Sequence, residues 1–428
     1  MKRFLLIALI LALAVGLMPT ALADVVEITI PYYRIGENVG AKFFLPQVER
    51  FNQKYAGVYK FSMEEVPQDM YPEKIKQLGL QGMYPPLVEG CVDDAILMDD
   101  LVPNNKFYDL NQWLDKDPEF KALFIAENIT YNTRDGKLFS VVCPVVRPTT
   151  LYYNGDLFVP SKPIGQMSWS ELLAELGDNK IAFMTSENAW TTMIALTSMI
   201  AVQPGGAELL MNSVPEEKKI RDFNTPMMIN AFTELKAALN YASSNTVGAA
   251  YADAANAFMS KNAAVICNGS WMVGDFAPDA ADKWSNGFDG STVHGDALPG
   301  NVGLDNVLGY GWWIPANTPA DQAEAAFAFL RFIFSPEEIE AFLLAEGGAS
   351  PNLALSADFL AKRAENRLLD EYVGAINKDS IIVPYFANCV PGSIADPELG
   401  KLLPKLIDGS FTPEQFCAEL TKKASQLD

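Results

Sequence analysis

Two periodicities alternate from the start of the readable chain, and this alternation limits the fold more than any other feature. Val25–Pro31 is a β-branched run ending at proline, and Gly36-Glu-Asn-Val-Gly40 follows as a loop. Phe44, Val48, Phe51 and Tyr55 then recur at spacings of four, three and four, which places them on one face of a helix closed by Gly57. A second extended run, Val58–Val66, completes β-α-β, and continued alternation predicts an α/β chain with a largely parallel sheet. At 428 residues the chain is too long for one ordinary core, so two domains are expected. No long linker, repeat or low-complexity tract separates them. The chain is therefore expected to pass between its domains more than once, with Leu138–Tyr153, Val307–Pro315 and Gly347–Pro351 as the candidate crossings. Helix starts are read at Ser168-Trp-Ser-Glu171, Ser335-Pro-Glu-Glu338 and Thr412-Pro-Glu-Gln415. In each, a hydroxyl accepts a backbone N–H while the residue three positions on reaches back.

Charge and composition remove several functions. Hydrophobic residues make up 49% and charged residues 20%, enough apolar surface for packed cores. The net charge of −21, with no cluster of Lys or Arg, opposes binding to phosphate backbones or anionic lipid. Lys2 and Arg3 precede an apolar run from Phe4 to Met18 and a small-residue site at Ala21-Leu22-Ala23, which reads as a secretory signal peptide over residues 1–23. That run is shorter than the roughly 20 residues that cross a bilayer. An exported product is expected, periplasmic or extracellular. The first cysteine is Cys91, so no anchor through an N-terminal cysteine is expected.

Cys91, Cys143, Cys267, Cys389 and Cys417 are too scattered for a metal knuckle or a dithiol motif and read mostly as small buried apolar side chains. His294, the one histidine, sits in a Gly/Asp-rich stretch and reads as an exposed loop residue, which leaves histidine-dependent nucleophilic catalysis almost no base. Zinc, P-loop, dinucleotide and serine-hydrolase motifs are absent, and Trp284 stands where a calcium loop needs an oxygen ligand. No metal, cofactor or catalytic residue is assigned. A pair of acids working on a glycosidic bond stays open, because 53 acids give spacing no power to test it.

Aromatic residues concentrate beside Gly and Asn at Asn188-Ala-Trp190, Asn268-Gly-Ser-Trp271 and Gly309-Tyr-Gly-Trp-Trp313. A sugar ring has an apolar C–H face and a rim of hydroxyls, so its site wants flat aromatic platforms with amide, carboxylate or Arg groups at their edges. Around these residues the sequence resembles the extracellular solute-binding proteins of ABC importers, in particular the carbohydrate-binding group that includes maltose-binding protein. The resemblance runs through Phe51–Gly57, Asp135–Phe139, Leu151–Phe158, Ser168–Leu173, Lys261–Trp271 and Ala325–Pro336, in the family's order.

That resemblance implies two α/β lobes of the type II-like periplasmic-binding fold, with a ligand cleft between lobes joined by the crossings. The expected division is 24–145 plus 316–350 for the first lobe and 146–315 plus 351–428 for the second. The implied function is capture of a sugar or oligosaccharide by a monomer and delivery to the membrane permease subunits, without turnover. The implied ligand residues are Glu37 and Asn38 after the first strand, Asp93 or Asp94 after a later strand, and Arg147 on a crossing. Asn188 and Trp190 join them, with the acid of that loop replaced or displaced to Glu187, followed by Asn268, Trp271, Tyr310, Trp312 and Trp313. Strand alternation sends Trp312 and Trp313 to opposite faces, so one of the two is expected at the cleft. Arg147 suits sugar hydroxyls, a carboxylate or sulfate, or a structural ion pair. Two rivals stay open: an exported carbohydrate-active enzyme with paired carboxylates, and the same fold with a polyamine or glycerol-phosphate-type ligand.

Overall fold

The computed structural model describes residues 25–427 except 37, 39, 69, 91–96, 187–188, 244–246 and 306–307. The leader, Cys91 and five of the expected ligand residues (Glu37, Asp93, Asp94, Glu187 and Asn188) therefore lie outside the described residues. No helix among the described residues is long and apolar enough to cross a membrane.

Strands β1 (Val26–Tyr32) and β2 (Tyr59–Glu65) pair in parallel, and the helix Ala41–Lys54 between them buries Phe44, Val48 and Phe51 against them, as their spacing predicts. Next come β3 (Val88–Glu89) and the small hairpin of β4 (Thr133–Arg134) and β5 (Lys137–Leu138). The chain then leaves this first core. It builds a second one on β6 (Thr149–Asn154), β7 (Ile181–Ala182), β8 (Val265–Gly269), β9 (Val293–Asp296) and β10 (Val302–Asp305). β11 (Trp312–Trp313) returns to pair antiparallel with β3, and β12 (Ile381–Pro384) rejoins the second core beside β10.

The second sheet is mixed, not largely parallel. β7 with β8 and β10 with β12 run parallel, but β6 is antiparallel to β8, β9 and β10. A strand entering from the other lobe arrives without a covering crossover helix of its own and is free to run against its neighbours. Behind the sheet, the helix Trp190–Ala201 is buried from Thr191 to Ala201. An all-round apolar helix of this kind belongs in the middle of a domain.

Two lobe boundaries differ from the sequence reading. Trp312, Trp313 and Ile314 already pack with Phe44, Phe51 and Phe329 in the first core, so the chain has crossed back before residue 312, not after 315. Phe359 packs with Phe43, Phe342 and Leu343, so the chain stays beside the first lobe past 350 and enters the second with Leu368, Leu369 and Tyr372. Capping boxes form at Ser168 and Thr412. At Ser335 none forms, because Glu338 is drawn away: Arg50 donates to it through Nε and Nη2 at 2.7 and 2.6 Å, and Gln47 at 3.1 Å. His294 lies on β9, not in a loop, stacked on Tyr153 and 3.1 Å from Glu371.

Candidate functional site

Three backbone segments cross between the cores side by side. Val141 and Trp312 exchange hydrogen bonds of 3.0 and 2.8 Å, and Val146 and Ala349 exchange bonds of 2.7 and 2.8 Å, so 141–146 is flanked by one crossing on each side. The third approaches closely at Gly348, whose φ is +108°; a Cβ there would lie 2.5 Å from the Val146 carbonyl oxygen. Only glycine combines that conformation with that contact.

A cavity of about 340 Å³ opens against these crossings, and its aromatic walls include Phe43, Phe44, Tyr310, Trp312 and Phe342. Trp312 and Trp313 separate as strand alternation requires. Trp312 lines the cavity, whereas Trp313 is fully buried behind it, tilted against Phe139 and donating its indole N–H to the Gly90 carbonyl at 3.1 Å. Trp313 is thus a core residue.

Polar groups at the cavity come from the ends of strands and from the crossings. Arg34 follows β1, Glu89 ends β3, and Cys143 and Arg147 lie on the crossing before β6. Arg34 faces Glu89 at 3.5 Å, while Glu89 also accepts from the buried Tyr32 hydroxyl. Arg147 faces Glu346 at 3.7 Å, and its guanidinium is near two rings, 5.4 Å from the centroid of Trp271 and 5.3 Å from that of Phe342. Burial, then the like charge of Arg34, pulls Arg147 below the usual arginine range. Burial opposes the charge of Arg34 too, but Glu89 and the neighbouring tyrosines hold it well above that range. Burial pushes the Glu346 carboxyl up, against the pull of Arg147 and Arg34. The Cys143 thiol is pushed up to about 12 by burial, too high to be a nucleophile at neutral pH.

Beyond Arg147 the aromatic surface continues into the second lobe. Trp271 and Trp190 are half-buried with ring centroids 5.9 Å apart, and Tyr251 lies 5.0 Å from Trp190. The Trp271 ring folds back over Gly269 so closely that a Cβ there would lie 2.1 Å from its Cη2. This gives Asn268-Gly-Ser-Trp271 a physical role for each part. The glycine clears space for the ring, and Asn268 fixes the backbone and the Tyr251 hydroxyl beside it. The Asn268 side chain is fully buried, donating to the Tyr251 hydroxyl at 3.2 Å and accepting the Gly269 N–H at 2.8 Å.

Of the expected ligand residues that are described, Arg147, Tyr310 and Trp312 line one cavity, and Trp190 and Trp271 adjoin it through Arg147. Asn38 does not line it. It makes a turn, accepting the Gly40 N–H at 2.9 Å and donating to Gln68 at 2.8 Å. Arg34, Glu89 and Glu346 are the polar residues that sequence reasoning missed. A usable signal existed for Arg34 and Glu89: both stand at the C-terminal ends of strands, where open α/β sheets place their ligands. Glu346 closes a helix and looks like ordinary solvated charge until the fold brings it to Arg147.

A bacterial extracellular solute-binding protein family model matches residues 47–366, and the chain belongs to that family. Solved structures share its fold. A chitin oligosaccharide binding protein superposes with a TM-score of 0.71 at 18% identity, covering 94% of this chain and 99% of that one. A Streptococcus pneumoniae solute-binding protein in complex with the blood group A-trisaccharide gives 0.71 at 16%, covering 94% and 100%. The maltose/maltodextrin-binding domain of Bdellovibrio bacteriovorus bound to maltotriose gives 0.64 at 18%, covering 94% and 99%. No match is found among curated proteins. The fold is therefore the two-lobe α/β fold of solute-binding proteins, and the chain's role is to bind a solute.

Proposed function

We propose that this chain is the exported substrate-binding component of an ABC importer, acting as a monomer. In this reading it captures a sugar or oligosaccharide between its lobes and hands it, chemically unchanged, to the membrane permease subunits. The observation that carries the sugar is the continuous aromatic surface from Trp312 and Tyr310 through Arg147 to Trp271 and Trp190, with donors and acceptors at its edges. Flat rings take the C–H face of a pyranose, and Arg and Glu side chains take the hydroxyl rim. Structural relatives bound to a trisaccharide and to maltotriose support the same ligand class. Ligand touching both lobes favours their closed arrangement by its differential affinity, and the closed shape is what a permease reads. Glu37, Asp93, Asp94, Glu187 and Asn188 are proposed as further hydroxyl partners. Each hydroxyl desolvated without a partner costs about 1–3 kcal/mol, and this penalty is the source of discrimination among sugars.

A thermal-shift screen against mono- and oligosaccharides tests the reading, because a ligand of the folded state raises the melting temperature by mass action. At least one sugar should stabilise the chain and be recovered intact. Trp271→Ala should then weaken its binding, measured by calorimetry, tenfold or more. Affinity unchanged in that variant would remove Trp271 from the site, and turnover of the sugar would replace a binder with an enzyme.

A further inference from the structure

Both arginines at the cavity are under-used. Arg34 and Arg147 each carry five N–H donors. Yet their ion pairs, at 3.5 and 3.7 Å, are longer than a good N–H···O bond, and among the described residues neither guanidinium makes a hydrogen bond. Each is only a quarter exposed, so water compensates poorly for unmade bonds. The two also line the same cavity and feel each other as like charges. Each carboxylate partner leaves donors over: Glu89 offers Arg34 one oxygen, its other oxygen accepting from the Tyr32 hydroxyl, and burial favours the neutral form of Glu346. Compare Arg50 and Glu338 in the same lobe, which close to 2.6 and 2.7 Å with both oxygens engaged.

Resting on the sugar-binding reading above, we propose that the ligand is an acidic saccharide whose oxyanion substituent, a carboxylate or sulfate, is received between Arg34 and Arg147 while its ring lies on the aromatic surface. A planar guanidinium fork matches the two oxygens of such a group, and a neutral hydroxyl uses only part of that capacity. The Trp271 and Phe342 rings both pack against the Arg147 guanidinium, which leaves it less rotamer freedom to lose on binding.

The test is calorimetry on the purified protein with matched probes: uronate oligosaccharides beside their methyl esters, and sulfated oligosaccharides beside their desulfated forms. At least one acidic probe should bind tenfold or more tightly than its neutral counterpart, and which arm binds distinguishes carboxylate from sulfate. Raising the salt concentration should weaken that probe selectively. Arg34→Gln and Arg147→Gln should each narrow the acidic-to-neutral ratio at least tenfold, and Arg34→Lys should restore part of it; circular dichroism reports whether each variant folds. Neutral probes binding as well as or better than acidic ones would overturn the proposal and leave the sugar reading standing. If no saccharide of either kind binds, both fall.

Discussion

Replacing Gly269 by alanine tests whether the Trp271 ring sits where the site needs it. A Cβ at position 269 would lie 2.1, 2.2 and 2.5 Å from three ring carbons of Trp271, closer than any real contact. Either the backbone or the ring must give way. The backbone is held by the Gly269 N–H to Asn268, by the Tyr152 hydroxyl donating to the Gly269 carbonyl at 2.9 Å, and by its place opposite Thr149 on β6. The ring therefore swings out and loses its contacts with Arg147 and Trp190. A partly exposed cation–π contact is worth about 0.5–1 kcal/mol. The aromatic pair is worth about 0.5–1.5 kcal/mol. Alanine recovers about 0.4–1 kcal/mol by restricting the unfolded chain. Gly269→Ala should thus be less stable by about 1 kcal/mol in urea denaturation, with altered near-ultraviolet circular dichroism. In a Trp271→Ala background the clash has gone and the same substitution should stabilise by about 0.4–1 kcal/mol; that coupling is the sharper readout. Equal costs in both backgrounds would show that the ring does not lie over Gly269.

Other expectations are independent of any ligand. Glu338→Ala removes three charge-assisted bonds to Arg50 and Gln47 and should lower stability by about 1.5–3 kcal/mol, towards the lower end because Arg50 reaches water; an unmoved urea midpoint would contradict this. The Phe120 N–H and then Arg331 hold the Asp117 carboxyl below its usual value of 3.8, so its contribution is present above about pH 4 and fades as pH falls through the lowered folded value. The gap in urea midpoint between the native chain and Asp117→Ala should accordingly shrink from pH 7 to pH 2.5, and a constant gap would exclude the cap as its source. Burial pushes Cys143, Cys267, Cys389 and Cys417 up to about 12, so at pH 8 iodoacetamide should label these four only after unfolding, as read by peptide mapping. Rapid labelling of Cys143 in the folded chain would mean that the cavity wall is open there.

Local chemistry was legible in the sequence and long-range pairing was not. The helix Ala41–Lys54 buries the face its spacing predicts, and Ser168 and Thr412 cap their helices because both partners lie within one turn. Ser335 carries the same motif and fails, since Arg50 lies 288 residues from Glu338 in sequence yet reaches it in the fold. The mixed second sheet was hidden for the same reason: β6 chooses its neighbours from strands as far on as β10, where Thr149 pairs with Leu304. At the cavity and beside it, Tyr310, Trp312, Trp190 and Trp271 belong to the aromatic clusters next to Gly and Asn, whereas Arg147 came only from the family resemblance. Trp313 and Asn268 carry the same local signal but are fully buried, and only packing separates them from the residues at the cavity.

Because the backbone threads three times from one core to the other, neither half of the molecule is a contiguous piece of sequence. A fragment ending near residue 140 would lack Trp312 and Phe329, and one beginning near 149 would carry them with nothing to pack against. Excising a lobe as a stretch of gene thus yields two unfinished interiors, whereas a protease that nicks any one passage leaves two tethers intact and the halves still joined.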